Sequence, residues 1–117
     1  MLEELRNPTR ELRRSIPDVW QAFGALHASA LGDGALPGRI KELIALAIAV
    51  GKQCDGCIAS HARAAAREGA TPDEVAETLG VTLLMGGGPA SVYGPRAWAA
   101  YQEFASLEIH TPKDIAS

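Results

Sequence analysis

The chain has 117 residues, with 11 Lys and Arg against 14 Asp and Glu, 47% hydrophobic residues and two cysteines. A chain of this length makes one domain and buries roughly two-thirds of its unfolded surface, so apolar packing can hold it without disulfide staples or a structural metal. A net charge of −3 with no basic block argues against nucleic acid or an anionic membrane as the main partner, and no apolar run reaches the roughly 20 residues that cross a bilayer.

Aromatic residues make up only 5% of the chain, alanine is abundant and β-branched residues are few, a composition that favours helix over strand. The expected fold is all-α, a single-domain bundle of about six helices spanning residues 1–117. Met1 to Arg6 alternates charge and lacks the apolar stretch of a secretory signal, which leads us to expect a cytoplasmic protein. A first helix is expected from about Leu2 to Arg14, with Arg10-Glu11-Leu12-Arg13-Arg14 as a solvated face, and Ile16-Pro17-Asp18 marks a break. The second helix carries Val19, Trp20, Phe23, Leu26, Ala30 and Leu31 at helical spacing and stops at Gly32-Asp33-Gly34.

Pro37 suits the first turn of a third helix, and Ile40 to Val50 is apolar on nearly every side apart from Lys41 and Glu42, which predicts a central, buried element. A fourth helix is expected from Asp55 to about Glu68, with Gly69 as its C-terminal cap. Thr71-Pro72-Asp73-Glu74 combines a capping threonine, a first-position proline and acidic first-turn residues. It starts a fifth helix through Leu84. Gly86-Gly87-Gly88-Pro89 then breaks the chain before a last helix from about Ala90 to Leu107. The glycine run has neither the preceding strand nor the spacing of a phosphate-binding loop.

Both cysteines lie in Cys54-Asp55-Gly56-Cys57. A bridge across two intervening residues closes so small a loop that it stabilises a fold little, so chemistry is the better reason for the pair. Cys54 falls at the N-cap of the fourth helix and Cys57 in its first turn, where unpaired N–H groups and the helix dipole favour a thiolate. His61 follows Cys57 by four residues and Cys54 by seven, so the three side chains share one helix face. Glu42 sits near the start of the otherwise apolar third helix. Either antiparallel packing brings it to His61 as an orienting carboxylate, or it stays in a partly solvated first turn.

The pattern of Glu42, Cys54-Asp55-Gly56-Cys57 and His61 in a helical chain resembles the alkylhydroperoxidase D-like group of the carboxymuconolactone decarboxylase superfamily, most closely from Pro37 to about Gly69. The later Gly86-Gly87-Gly88-Pro89 followed by Tyr93 also resembles small members of that superfamily. The resemblance implies a peroxidase in which Cys57 attacks a hydroperoxide and becomes a sulfenic acid. Cys54 then resolves it as a disulfide, and His61, supported by Glu42, moves the protons. It further implies an external dithiol reductant of lipoyl or thioredoxin-like type, a homotrimer or homohexamer, and no bound cofactor or metal.

One departure stands out. The best-known peroxidases of the group carry a histidine directly before the second cysteine, and here that position is Gly56, so Asp55 or water would have to take over that part of the relay. The decarboxylase branch lacks the cysteine pair, which argues against lactone decarboxylation. A general dithiol–disulfide oxidoreductase, a zinc site and a non-catalytic oligomeric module are the competing readings. Zinc would need further ligands beyond the CxxC pair, and His27 and His110 offer no paired spacing. Haem attachment would need a histidine where Ile58 stands. His27 is expected on a helix surface or as a satisfied core residue, and His110 in a solvated tail. Trp20, Phe23, Trp98, Tyr101 and Phe104 are expected in the core or a subunit interface, with Tyr93 kept as a candidate pocket residue.

Overall fold

In the computed structural model, which describes residues 3–110, the chain begins with a single 3-10 turn, Glu3–Leu5, which runs into α1 (Arg6–Ser15). The expected first helix is therefore split in type, and its start at Leu2 lies outside the described residues. Helices α2 (Pro17–Leu31), α3 (Gly38–Gly51), α4 (Asp55–Arg67), α5 (Pro72–Gly86) and α6 (Ala90–His110) follow. Among the described residues there are six α-helices and no strand, and no helix is long and apolar enough to cross a membrane. The tail expected after about Leu107 begins later: α6 runs to His110, which therefore lies in the helix and not in a tail, and residues 111–117 lie outside the described residues.

The core is built from α3 to α6. Leu43, Leu46, Ala49 and Val50 of α3 meet Ile58, Ala62, Ala65 and Ala66 of α4, Val75 and Leu79 of α5, and Ala97 and Tyr101 of α6. The alanine stripe of α4 lets its axis approach both neighbours, and α4 packs most extensively on α6 and α3. Small side chains at a helix contact bring backbones together, so the most alanine-rich helix becomes the central one. Trp98 and Phe104 lie half-buried against this core, whereas Phe23 on α2 is 63% exposed.

The expectation for α3 needs one correction. Its inner side is buried as predicted, but Ile44 and Ile48 are 45% and 54% exposed, because the remaining helices cover only one flank of it. Pro37 also sits one step earlier than expected, as the extended N-cap residue with ψ 154° rather than inside the first turn. The N-terminal end of α3 is tied to the preceding loop instead. Gly38 N–H donates to Asp33 Oδ1 (2.6 Å) and Lys41 Nζ donates to the Gly32 carbonyl (2.6 Å). A Cβ at Gly38 would meet Asp33 Oδ1 at 3.2 Å, so a larger residue there would push this carboxylate aside by a few tenths of an ångström.

The turn that delivers the cysteines is unusual. Gln53 N–H bonds to the Val50 carbonyl and Cys54 N–H to the Ala49 carbonyl (both 3.1 Å), with Gln53 at φ 55°. This is a Schellman termination of α3 with glutamine where glycine usually stands. The same motif ends α4, where Gly69 at φ 85° bonds to the Ala66 carbonyl and Ala70 to that of Ala65. A left-handed conformation costs a non-glycine residue about 1–2 kcal/mol, partly offset in a glycine variant by its extra unfolded-state freedom. Gln53→Gly is expected to raise stability by about 0.5–1 kcal/mol, read from chemical denaturation; a loss would contradict the strain.

The start of α5 is as the sequence predicts. Thr71 Oγ1 accepts from Glu74 N–H, and Thr71 N–H donates to Glu74 Oε1, a capping box with Pro72 in the first turn. Nearby, the Tyr101 hydroxyl donates to the Ala70 carbonyl at 2.6 Å. Burial, with the Glu74 carboxylate adding to it, pushes the Tyr101 phenol above its ordinary 10.0. The folded chain thus holds this proton where the unfolded chain has released it, so the contribution is full below pH 10 and is lost as pH rises through the folded value. Tyr101→Phe should cost about 1–2 kcal/mol near neutral pH by orphaning the Ala70 carbonyl. It should also flatten the loss of stability above pH 10; an unchanged alkaline limb would contradict this.

Candidate active site

Cys54 occupies two roles at once. Its N–H closes the Schellman turn of α3, and its extended backbone (φ −103°, ψ 97°) makes it the N-cap of α4, where its Sγ accepts from Cys57 N–H at 3.2 Å. The two sulfurs are joined as a disulfide, with the Cα atoms 5.2 Å apart, a span that needs no backbone distortion. Cys57 is exposed and Cys54 half-buried.

His61 lies one turn further along α4 than Cys57. Its Nδ1 lies 2.8 Å from Glu42 Oε2 on α3. An ionised carboxylate only accepts, so Nδ1 carries the proton and donates, which leaves Nε2 as the ring's basic nitrogen. The Glu42 side chain is 7% exposed and that of His61 18%. Of the two alternatives open for Glu42, the structure selects the buried, paired one. The packing of α3 against α4 brings it across 19 residues of sequence to the imidazole.

Asp55, between the cysteines, is paired with α6. Arg96 Nη1 of α6 donates to its Oδ1 and Oδ2 at 3.2 and 3.4 Å, and the guanidinium lies over the Tyr93 ring at 4.5 Å. Tyr93 thus belongs to the surroundings of the CxxC segment through Arg96, which the sequence did not single out. A candidate relay role for Asp55 competes with this ion pair. Gly56, the one departure from the family pattern, lines a shallow cleft of about 380 Å³ with Ser60, Arg63, Arg67 and Phe104.

His27 is exposed on the surface of α2, one of the two places expected for it, and its ring also stacks on that of His61, with centroids 5.9 Å apart and planes inclined by 14°. Nothing in the local sequence of α2 signals this, since the partner lies 34 residues away on another helix. Among the described residues no three His, Cys, Asp or Glu side chains are grouped to hold a metal ion.

Comparison with known proteins matches residues 17–103 to the model of the carboxymuconolactone decarboxylase family. An uncharacterised protein of Cupriavidus necator is 39% identical over 100 residues, covering 86% of this chain and 88% of its own length. Another, encoded in the cox locus of Paracoccus denitrificans, is 39% identical over 93 residues, covering 80% and 84%. Among solved structures, the apo form of a carboxymuconolactone decarboxylase family protein from Legionella pneumophila superposes with a TM-score of 0.82 at 40% identity, over 88% of this chain and 92% of that one. A family protein from Thermotoga maritima does so with a TM-score of 0.77 at 26% identity, over 92% and 95%. By sequence and by fold, the chain belongs to the carboxymuconolactone decarboxylase family.

Proposed function

We propose that the protein is a thiol-dependent peroxidase of alkylhydroperoxidase D type. One observation carries this reading: a disulfide at the N-terminus of α4 stands one turn before an imidazole that a buried carboxylate holds at 2.8 Å. In the reduced protein His61 takes the Cys57 thiol proton at Nε2, and the resulting thiolate attacks the terminal oxygen of a hydroperoxide. The O–O bond breaks, an S–O bond forms, and the departing alkoxide takes a proton from His61 and leaves as the alcohol. Cys57 is then a sulfenic acid. The Cys54 sulfur attacks it, the disulfide forms and water leaves. An external dithiol of lipoyl or thioredoxin-like type restores both thiols by exchange and is itself oxidised to a disulfide. Involvement in an antioxidative response has been suggested for the Thermotoga maritima relative, in keeping with this chemistry.

The same dithiol could serve a general disulfide oxidoreductase, and Gly56, with no side chain to give the relay, favours keeping that as the second reading. It would show as disulfide exchange without peroxide consumption. Assembly accompanies either activity. Val19, Phe23 and Leu26 of α2 are each 63% exposed, as is much of the Ile44 and Ile48 flank of α3, and a homotrimer or homohexamer would cover these faces. We place the protein in the cytoplasm, where a reduced dithiol can be regenerated.

The proton-transfer role of His61 has a direct test. His61→Ala should slow oxidation of Cys57 by roughly 10²- to 10⁴-fold near neutral pH, and far less at alkaline pH where the thiolate forms unaided. Stopped-flow measurement at both pH values decides it, and equal slowing at both would contradict the base role.

A further inference from the structure

We propose that His27 of α2 is a positioning residue for His61, holding the plane of its imidazole so that Nε2 is presented in one orientation. The inference rests on the peroxidase reading for its role in turnover, but its geometric content stands apart from it.

Two independent restraints meet on the His61 ring. Glu42 Oε2 fixes the Nδ1 edge at 2.8 Å. That bond alone leaves the ring free to swing about the N–H···O axis. His27 covers one face of the ring, with centroids 5.9 Å apart and planes only 14° from parallel, and a swing would break this stack. Together they leave Nε2 with one direction, which is what proton transfer to or from a small reactant needs.

The position of His27 is itself fixed by the loop that follows α2. Asp33 accepts from Gly38 N–H and Lys41 donates to the Gly32 carbonyl, which ties the C-terminal end of α2 to the start of α3, the helix that carries Glu42. The rest of α2 has no buried residue. A helix with no burial of its own thus has one end anchored and one ring laid against the central histidine of the site.

The test compares His27→Ala with His27→Phe in the full chain. Phenylalanine keeps a flat ring and removes both nitrogens, so it separates positioning from proton transfer by His27 itself. Three readouts are taken: the thermal unfolding midpoint, the orientation of the His61 ring from its ring-proton NOEs, and the rate of Cys57 oxidation by a hydroperoxide after reduction. His27→Ala is expected to leave the unfolding midpoint in place, to give the His61 ring more than one orientation while the Glu42 bond persists, and to slow oxidation by roughly 10- to 100-fold. His27→Phe is expected to restore both the single orientation and the rate. A His61 ring orientation that does not change in His27→Ala, or a His27→Phe variant as impaired as His27→Ala, would overturn the proposal. A wild-type protein inert to hydroperoxide would overturn the peroxidase reading instead, while the orientation measurement would still decide the role of His27.

Discussion

Replacing Cys57 with serine is expected to abolish reaction with hydroperoxide, whereas Cys54→Ser should react once and stop at a sulfenic acid on Cys57. The asymmetry follows from where the turn between α3 and α4 puts the two sulfurs. Cys54 is the cap residue, half-buried, its N–H spent on the end of α3 and its Sγ facing the Cys57 N–H at 3.2 Å. Cys57 is exposed in the first turn of α4, closer in sequence to His61. A nucleophile needs access and a base, while a resolving thiol needs only proximity to the oxidised sulfur. Mass spectrometry with a sulfenic-acid trap reads the outcome. A trapped sulfenic acid on Cys54 in the Cys57→Ser protein would reverse the assignment.

Glu42 variants give the second large effect, and they separate stability from chemistry. Glu42→Ala removes the partner of His61 Nδ1 in a site where the carboxylate side chain is 7% exposed. It should cost about 1–3 kcal/mol through the orphaned donor, and more if a cavity remains. Glu42→Gln keeps an oxygen that accepts from Nδ1, so its stability cost should be smaller, but it removes the negative charge beside the ring. Oxidation of Cys57 near neutral pH should fall in both, by roughly 10- to 100-fold in Glu42→Gln, less than the roughly 10²- to 10⁴-fold of a whole general acid–base device because the imidazole remains. Chemical denaturation and stopped-flow oxidation measure the two effects. A Glu42→Gln protein as fast as the wild type would show that Glu42 serves only to satisfy the ring.

Much of the scaffold could be read from the residues. Thr71-Pro72-Asp73-Glu74 announces its capping box because the partners are three residues apart, and Gly69 marks the end of α4 because a left-handed residue is needed there. The Cys54, Cys57 and His61 face of α4 is legible for the same reason, since helical spacing fixes which side chains align. The pairing of Glu42 with His61 was one of two open alternatives, and only the packing of α3 on α4 decides it. His27 and Arg96 were not legible as site residues. Each reaches its partner, His61 or Asp55, across more than 30 residues of sequence, and the spacing within α2 or α6 carries no trace of that contact. Gln53 hides for another reason: a glutamine in the left-handed region contradicts local preference, and the strain is tolerated where the turn must deliver Cys54 to the next helix. The burial expected on all sides of α3 failed at Ile44 and Ile48 because periodicity reports that a face is apolar, not which molecule covers it.

Cycling of the Cys54–Cys57 pair between dithiol and disulfide at the expense of a hydroperoxide can be measured by reducing the protein, removing the reductant, adding one equivalent of an organic hydroperoxide, and counting free thiols and the alcohol formed. Both thiols of each chain should disappear and one alcohol should appear per chain, with both thiols regained on adding a dithiol. Thiols that remain titratable after hydroperoxide is added, or that become titratable only after a chelator, would contradict it.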